Sequence, residues 1–152
     1  MRSIRPPVLL AAAFTVGIAP FAFVSSGFTH GDVQPQAVDT DGLEPLGEEI
    51  ALENPYRLAG EEQYALAQEI GESGYGANCA RCHGLQAISG GIAPDLRMLE
   101  EGEFGDEWFM ERVLNGYSQN GAYKMPPFEE ILSQEAMWAI RSYTETRPLD
   151  EG

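Results

Sequence analysis

The chain has 152 residues, nine Lys and Arg against 24 Asp and Glu, and a net charge of −15. That length holds one domain, or one domain plus a tail, and 43% apolar residues support a modest core, so the chain is not globally disordered. The acid excess argues against nucleic acid as a partner and for cationic protein surfaces; two cysteines exclude a disulfide framework and a four-thiolate zinc or iron–sulfur centre within one chain.

In residues 1–29, Arg2 and Arg5 are the only charges, and an apolar run from Val8 to Val24 precedes small and polar residues beginning at Ser25. This order is that of a secretory signal peptide, cleaved after Ser26 or Thr29. The alternative is an uncleaved membrane anchor, although the run is short for a span and contains Pro20. Cleavage removes both arginines and leaves seven cations against the 24 acids, a charge of −17.

Residues 30–60 carry no sustained period. Pro35, Pro45 and Pro55 punctuate an acidic stretch that reads as an extended arm, either laid over a core or partly mobile. The compact domain is expected over residues 61–148. Its first helix spans 61–76, with Tyr64, Ala67, Ile70, Gly71, Gly74 and Tyr75 on one face. Gly71 and Gly74 each cost helix propensity, about 1 kcal/mol, so they are expected where another backbone comes close.

Cys79-Ala80-Arg81-Cys82-His83 follows that helix. C-x-x-C-H is the attachment pattern of haem c: each thiol adds to a haem vinyl group and the histidine reaches the iron. A thioredoxin-like dithiol would require a strand–helix context, and a zinc half-site lacks its second ligand pair. One covalent haem c is therefore the expected cofactor. Gly90-Gly91-Ile92-Ala93-Pro94 is expected to bring the Pro94 carbonyl to the other ring N–H of His83, with Leu96 packed on the haem face, although a plain loop proline is the alternative.

A second helix begins after Gly105 or Asp106 and stops at Asn115-Gly116, with Met110, Val113, Leu114 and Tyr117 along one side. Trp108 reads as a donor to a haem propionate or as a core tryptophan. The acids Glu100, Glu101, Glu103, Asp106 and Glu107 lack the spacing of a calcium loop and read as a solvated or docking face. Residues 116–128 read as loop. Within them, Met125 precedes Pro126-Pro127, which lock the chain beyond it, and it is the expected sixth ligand to iron. Met98, Met110 and Met137 are the alternatives. The last helix starts with Ser133 as N-cap, buries Ala136, Ala139, Ile140 and Tyr143, and ends by Arg147. No segment alternates as a strand. The reading is an all-α fold of three main helices with long loops around a haem, because so few helices leave too little apolar surface for a dry core.

These residues resemble the class I c-type cytochromes. Gly71 and Tyr75 match that family's first-helix pattern, which crosses the last helix near Ile140 and Tyr143. Cys79, Cys82, His83, Pro94, Leu96 and Met125 stand in its haem positions in order. The strings "HGDVQPQAVDT", "NPYR", "NCARCHGLQAISGGIAPDLR", "GDEWF" and "LSQEAMWAIRSY" resemble more closely the c-550 type, electron acceptors of pyrroloquinoline-quinone (PQQ) alcohol dehydrogenases. The resemblance implies a periplasmic monohaem carrier that takes electrons from such a dehydrogenase and passes them to the respiratory chain. A stable Met ligand argues against an enzyme, cleavage of the signal peptide against stable membrane insertion, and the charge of −17 for a transient complex with the donor. A haem subunit of a peroxidase or thiosulfate dehydrogenase, and a generic carrier for other donors, are the alternatives.

Overall fold

Three stretches with three- and four-residue apolar spacing fold as long helices, and a single-turn helix carries the cysteine motif. The structure, a computed structural model, describes residues 34–149; the expected signal peptide lies outside them. Its elements are α1 (Glu61–Asn78), α2 (Ala80–His83), α3 (Glu103–Asn115), β1 (Tyr117–Gln119), β2 (Ala122–Met125) and α4 (Gln134–Glu145). Short 3-10 turns at Pro55–Leu58, Leu85–Ala87 and Leu96–Met98 link them. Among the described residues no helix is long and apolar enough to cross a membrane.

The crossing of α1 and α4 is the centre of the core. Ser133 caps α4 by accepting from the Ala136 N–H. From Ala136 to Tyr143 every α4 residue is buried, including Trp138, Ile140 and Tyr143. Burying each large apolar side chain contributes roughly 1.5–3 kcal/mol. The helices meet at Gly71, where a Cβ would collide with the Ala139 carbonyl and lie 3.0 Å from Tyr143 Cβ. A Cβ on Gly74 would lie 3.1 Å from Ile140 Cγ1 and equally close to Val38 Cγ2 of the arm. The two glycines thus sit where the sequence expects a close approach. One turn on, the rings of Tyr75 and Tyr143 pack with centroids 5.3 Å apart.

The all-α expectation is corrected at one place. Residues 117–125 form an antiparallel hairpin, β1 against β2, turned at Asn120-Gly121 with both residues at positive φ. That is the backbone a two-residue primed turn requires. Tyr117 therefore belongs to a strand and is exposed, not to the buried stripe of α3. Helix bounds also move. Helix α3 begins at Glu103, before Gly105, while α1 continues to Asn78 and α4 ends at Glu145.

The arm is laid along the helices. Gln36 N–H donates to Asn78 Oδ1 at 2.7 Å, and Asn78 Nδ2 donates back to Gln36 O at 3.1 Å. Glu44 N–H reaches Gln63, Leu46 N–H reaches Glu135, and Ala51 N–H reaches Gln134. Leu43 and Tyr56 join the apolar core.

Below the arm lies a buried ionic cluster. Asp106 has no exposed side-chain area; its carboxylate accepts from Arg57 at 2.6 and 2.8 Å, from Arg141 Nε at 2.8 Å and from the Asn54 N–H at 2.9 Å. Glu145 accepts from Arg57 and from the Tyr64 hydroxyl. Burial alone would raise the Asp106 carboxyl, but the two guanidinium groups and the Asn54 N–H outweigh it and hold it below the usual carboxylate range. Asp106 is thus removed from the acidic face on which the sequence placed it, because charge runs in sequence do not reveal partners 35 and 49 residues away.

Candidate functional site

Five of the six residues singled out for cofactor chemistry, Cys79, Cys82, His83, Pro94 and Met125, line a single cavity of about 670 Å³. Cofactor pockets fall in the range of roughly 300–1,000 Å³. One part of the wall is the junction of α1 and α2. Cys79 closes α1, its N–H donating to Tyr75 O, and Cys82 and His83 follow within the single turn of α2. Their backbone N–H groups both donate to Cys79 O, at 3.1 and 2.9 Å. This one turn fixes the two thiols and the imidazole relative to each other. Both cysteines are free thiols, and burial, followed by the neighbouring Cys82, pushes the Cys79 thiol up to about 12.

His83 is buried, and its Nδ1 lies 2.8 Å from Pro94 O. A carbonyl oxygen only accepts, so Nδ1 carries the proton and Nε2 keeps its lone pair. Burial lowers the pKa of the ring, with the Pro94 contact acting the other way. The Pro94 loop is itself held: Ser89 Oγ donates to Ala93 O, and Asp95 accepts from the Arg97 N–H at 3.0 Å. Its Ile92 also lines the cavity and is 81% exposed.

The rest of the wall comes from α3 and the hairpin. Met125, at the end of β2, lines the cavity with Pro126 and Phe128. Of the other downstream methionines, Met110 and Met137 are buried in the apolar core and Met98 is 68% exposed. Leu96 is also buried in that core and is not part of the cavity lining.

Sequence reasoning missed several lining residues. Arg112 lies between two aromatic rings, its guanidinium 5.4 Å from the Trp108 centroid and 5.2 Å from that of Tyr117, and all three line the cavity. Such cation–ring contacts hold a guanidinium in place at low entropic cost. Of its two readings the core tryptophan is corrected: Trp108 is 37% exposed and its ring forms part of the cavity wall. The spacing of Trp108 and Arg112, one helical turn, was the available signal. Gln119 and Lys124 of the hairpin, and Asn78 at the end of α1, also line the cavity.

A neutral imidazole with a free Nε2, a thioether sulfur and two thiols around one largely apolar space suit a flat macrocycle with an iron at its centre. The residues present fit a haem.

The chain matches, over residues 67–143, the family described as cytochrome c oxidase, cbb3-type, subunit III. It is 58% identical to cytochrome c550 of Pseudomonas aeruginosa over 134 residues, covering 88% of this chain and 92% of that protein. Two Pseudomonas putida proteins, quinohemoprotein alcohol dehydrogenases ADH IIB and ADH-IIG, are 34% and 33% identical over 83 and 82 residues, in each case 11% of the dehydrogenase. No solved structure gives a significant match. Its family match, its near full-length likeness to a cytochrome c550 and a cavity that suits haem place the chain in the c-type cytochromes, as an electron-transfer protein and not an enzyme.

Proposed function

We propose that the chain is a periplasmic class I cytochrome with one covalent haem, which takes single electrons from a PQQ-dependent alcohol dehydrogenase and delivers them to the respiratory chain. The observation that carries the reading is the convergence of Cys79, Cys82, His83 and Met125 on one cavity. Cys79 and Cys82 would hold the haem covalently, each thiol adding across one vinyl group with no net change in oxidation state. His83 Nε2 and the Met125 sulfur would hold its iron. When bound, the haem iron accepts and returns one electron. The Pro94 carbonyl keeps His83 in the tautomer that presents Nε2. A thioether ligand favours the reduced state and suits a carrier.

Export is supported by the basic and apolar order of residues 1–29. The donor is supported by the strings shared with the c-550 type and by the similarity to segments of two quinohemoprotein alcohol dehydrogenases. Carrier encounters need speed more than affinity. The charge of −17 left after cleavage acts on association rate, screened over about 8 Å at physiological salt.

The test is stopped-flow reduction of the ferric holoprotein by a purified, substrate-reduced quinoprotein alcohol dehydrogenase across a salt series. We expect one electron per haem, at a rate that changes with ionic strength while the potential does not. No reduction by any such dehydrogenase would overturn the donor assignment.

A further inference from the structure

The end of α3 is built around a residue that the haem chemistry does not use. Gly116 stops the helix, its N–H donating to Arg112 O at 2.9 Å, with φ 71° and ψ −165°. That backbone region is essentially open to glycine alone. A Cβ at this position would lie 2.5 Å from Met125 O and 2.8 Å from both Pro126 C and Pro127 N. These are backbone atoms of the segment that carries the Met125 side chain, and a segment with two successive prolines has little freedom to yield. Three residues before Gly116, the Val113 carbonyl accepts from the Phe128 N–H at 2.9 Å. The last turn of α3 therefore grips the segment at two points, by direct backbone contact at Met125–Pro127 and by a hydrogen bond just beyond it. Tyr117 pairs with Met125 across the hairpin and closes the arrangement from the strand side.

We infer that Gly116 is a positioning residue for the Met125 sulfur: its missing side chain lets the methionine segment seat against α3 at the depth from which the thioether reaches the cavity. The inference rests on the assignment of Met125 as axial ligand. Adding one methyl group here displaces the segment, because the atoms it meets are peptide atoms and not the ends of flexible side chains.

Gly102, at the other end of the same helix, separates backbone strain from this contact. Its φ of 93° and ψ of −170° lie in the same region, yet a Cβ there meets nothing within 4 Å. Gly116→Ala, Gly102→Ala and Met125→Ala holoproteins are compared by the weak Met–iron charge-transfer band at the red end of the visible, by midpoint potential and by carbon monoxide uptake of the ferrous form. We expect Gly116→Ala to lose the band, fall in potential and bind carbon monoxide, as Met125→Ala does. Gly102→Ala should lose stability but keep the band. Loss of the band in Met125→Ala with retention in Gly116→Ala overturns the positioning role alone. Retention of the band in Met125→Ala overturns the ligand assignment beneath it. Loss in Gly102→Ala equal to that in Gly116→Ala overturns the contact as the cause. If Gly116→Ala yields no holoprotein, Pro127→Ala carries the test. With the ring gone the segment can lift from Gly116, so the band should fade on heating well before the helices unfold; coincident loss in that variant overturns the inference.

Discussion

The α1–α4 half of the molecule and the cavity half solve opposite problems. Around the helix crossing, the protein supplies partners to its buried charges, Arg141 Nη1 excepted: Asp106 is enclosed by Arg57, Arg141 and the Asn54 N–H, and the arm is bonded to side chains of α1 and α4. The cavity half gathers its reactive groups around a space of about 670 Å³, walled by a single helical turn, a loop, one side of α3 and a hairpin whose residues are mostly exposed. One half supplies its own partners, while the other is complete only around a group the chain does not encode.

The contrast breaks most visibly at the cysteines. Changing Cys79 and Cys82 together to Ala should abolish haem that survives denaturing gel electrophoresis, read by haem staining. A haem band of native intensity in that variant would mean that the cavity half is held by something other than thioether attachment.

On the other half, Asp106→Asn should cost stability and leave the visible spectrum of the holoprotein unchanged. Removing one partner of a buried ionic cluster typically costs about 3–5 kcal/mol, measurable by chemical denaturation. Because the Asp106 carboxyl is held below its ordinary value in the folded protein, its contribution is fully present above the unfolded pKa of about 3.9 and is lost as pH falls through the folded value. The native protein should therefore lose stability on acidification below about pH 4, and the variant should show a flatter dependence there. A change in the haem spectrum at neutral pH would show that the halves are not separable.

A smaller effect is expected at Gly71. Gly71→Ala forces a methyl group against the Ala139 carbonyl, and overpacking of this kind costs about 1–3 kcal/mol. The melting temperature should fall with the Met–iron band intact. An unchanged melting temperature would mean that the helix pair shifts apart more easily than its packing suggests.

The two halves also differ in how well the sequence reveals them. Gly71, Gly74 and the stripe of α4 are legible because helix packing follows a local period. The cysteine motif is legible because its chemistry demands adjacent residues. The hairpin was missed although Asn120-Gly121 marks it: both strands are exposed, so no apolar alternation accompanies the turn. Asp106 was misplaced for the opposite reason, since its partners come from the arm and from α4, and nothing local separates a buried acid from its exposed neighbours.

The arm has a consequence for what this surface can become. From Gln36 to Ala51, it is the main chain of the arm that meets Asn78, Gln63, Glu135 and Gln134; Gln134 Nε2 likewise donates to Gly47 O and Glu49 O, and Gln63 Nε2 to Gly42 O. A path held by peptide groups does not depend on which outward side chains decorate it. Asp39 is the exception, since its carboxylate accepts from the Asp41 N–H at 3.0 Å, while the exposed side chains of Asp41, Glu48 and Glu49 lie outside these bonds. A designer could recode this ribbon, reversing its charge or attaching a label to it, while the fold beneath keeps its course.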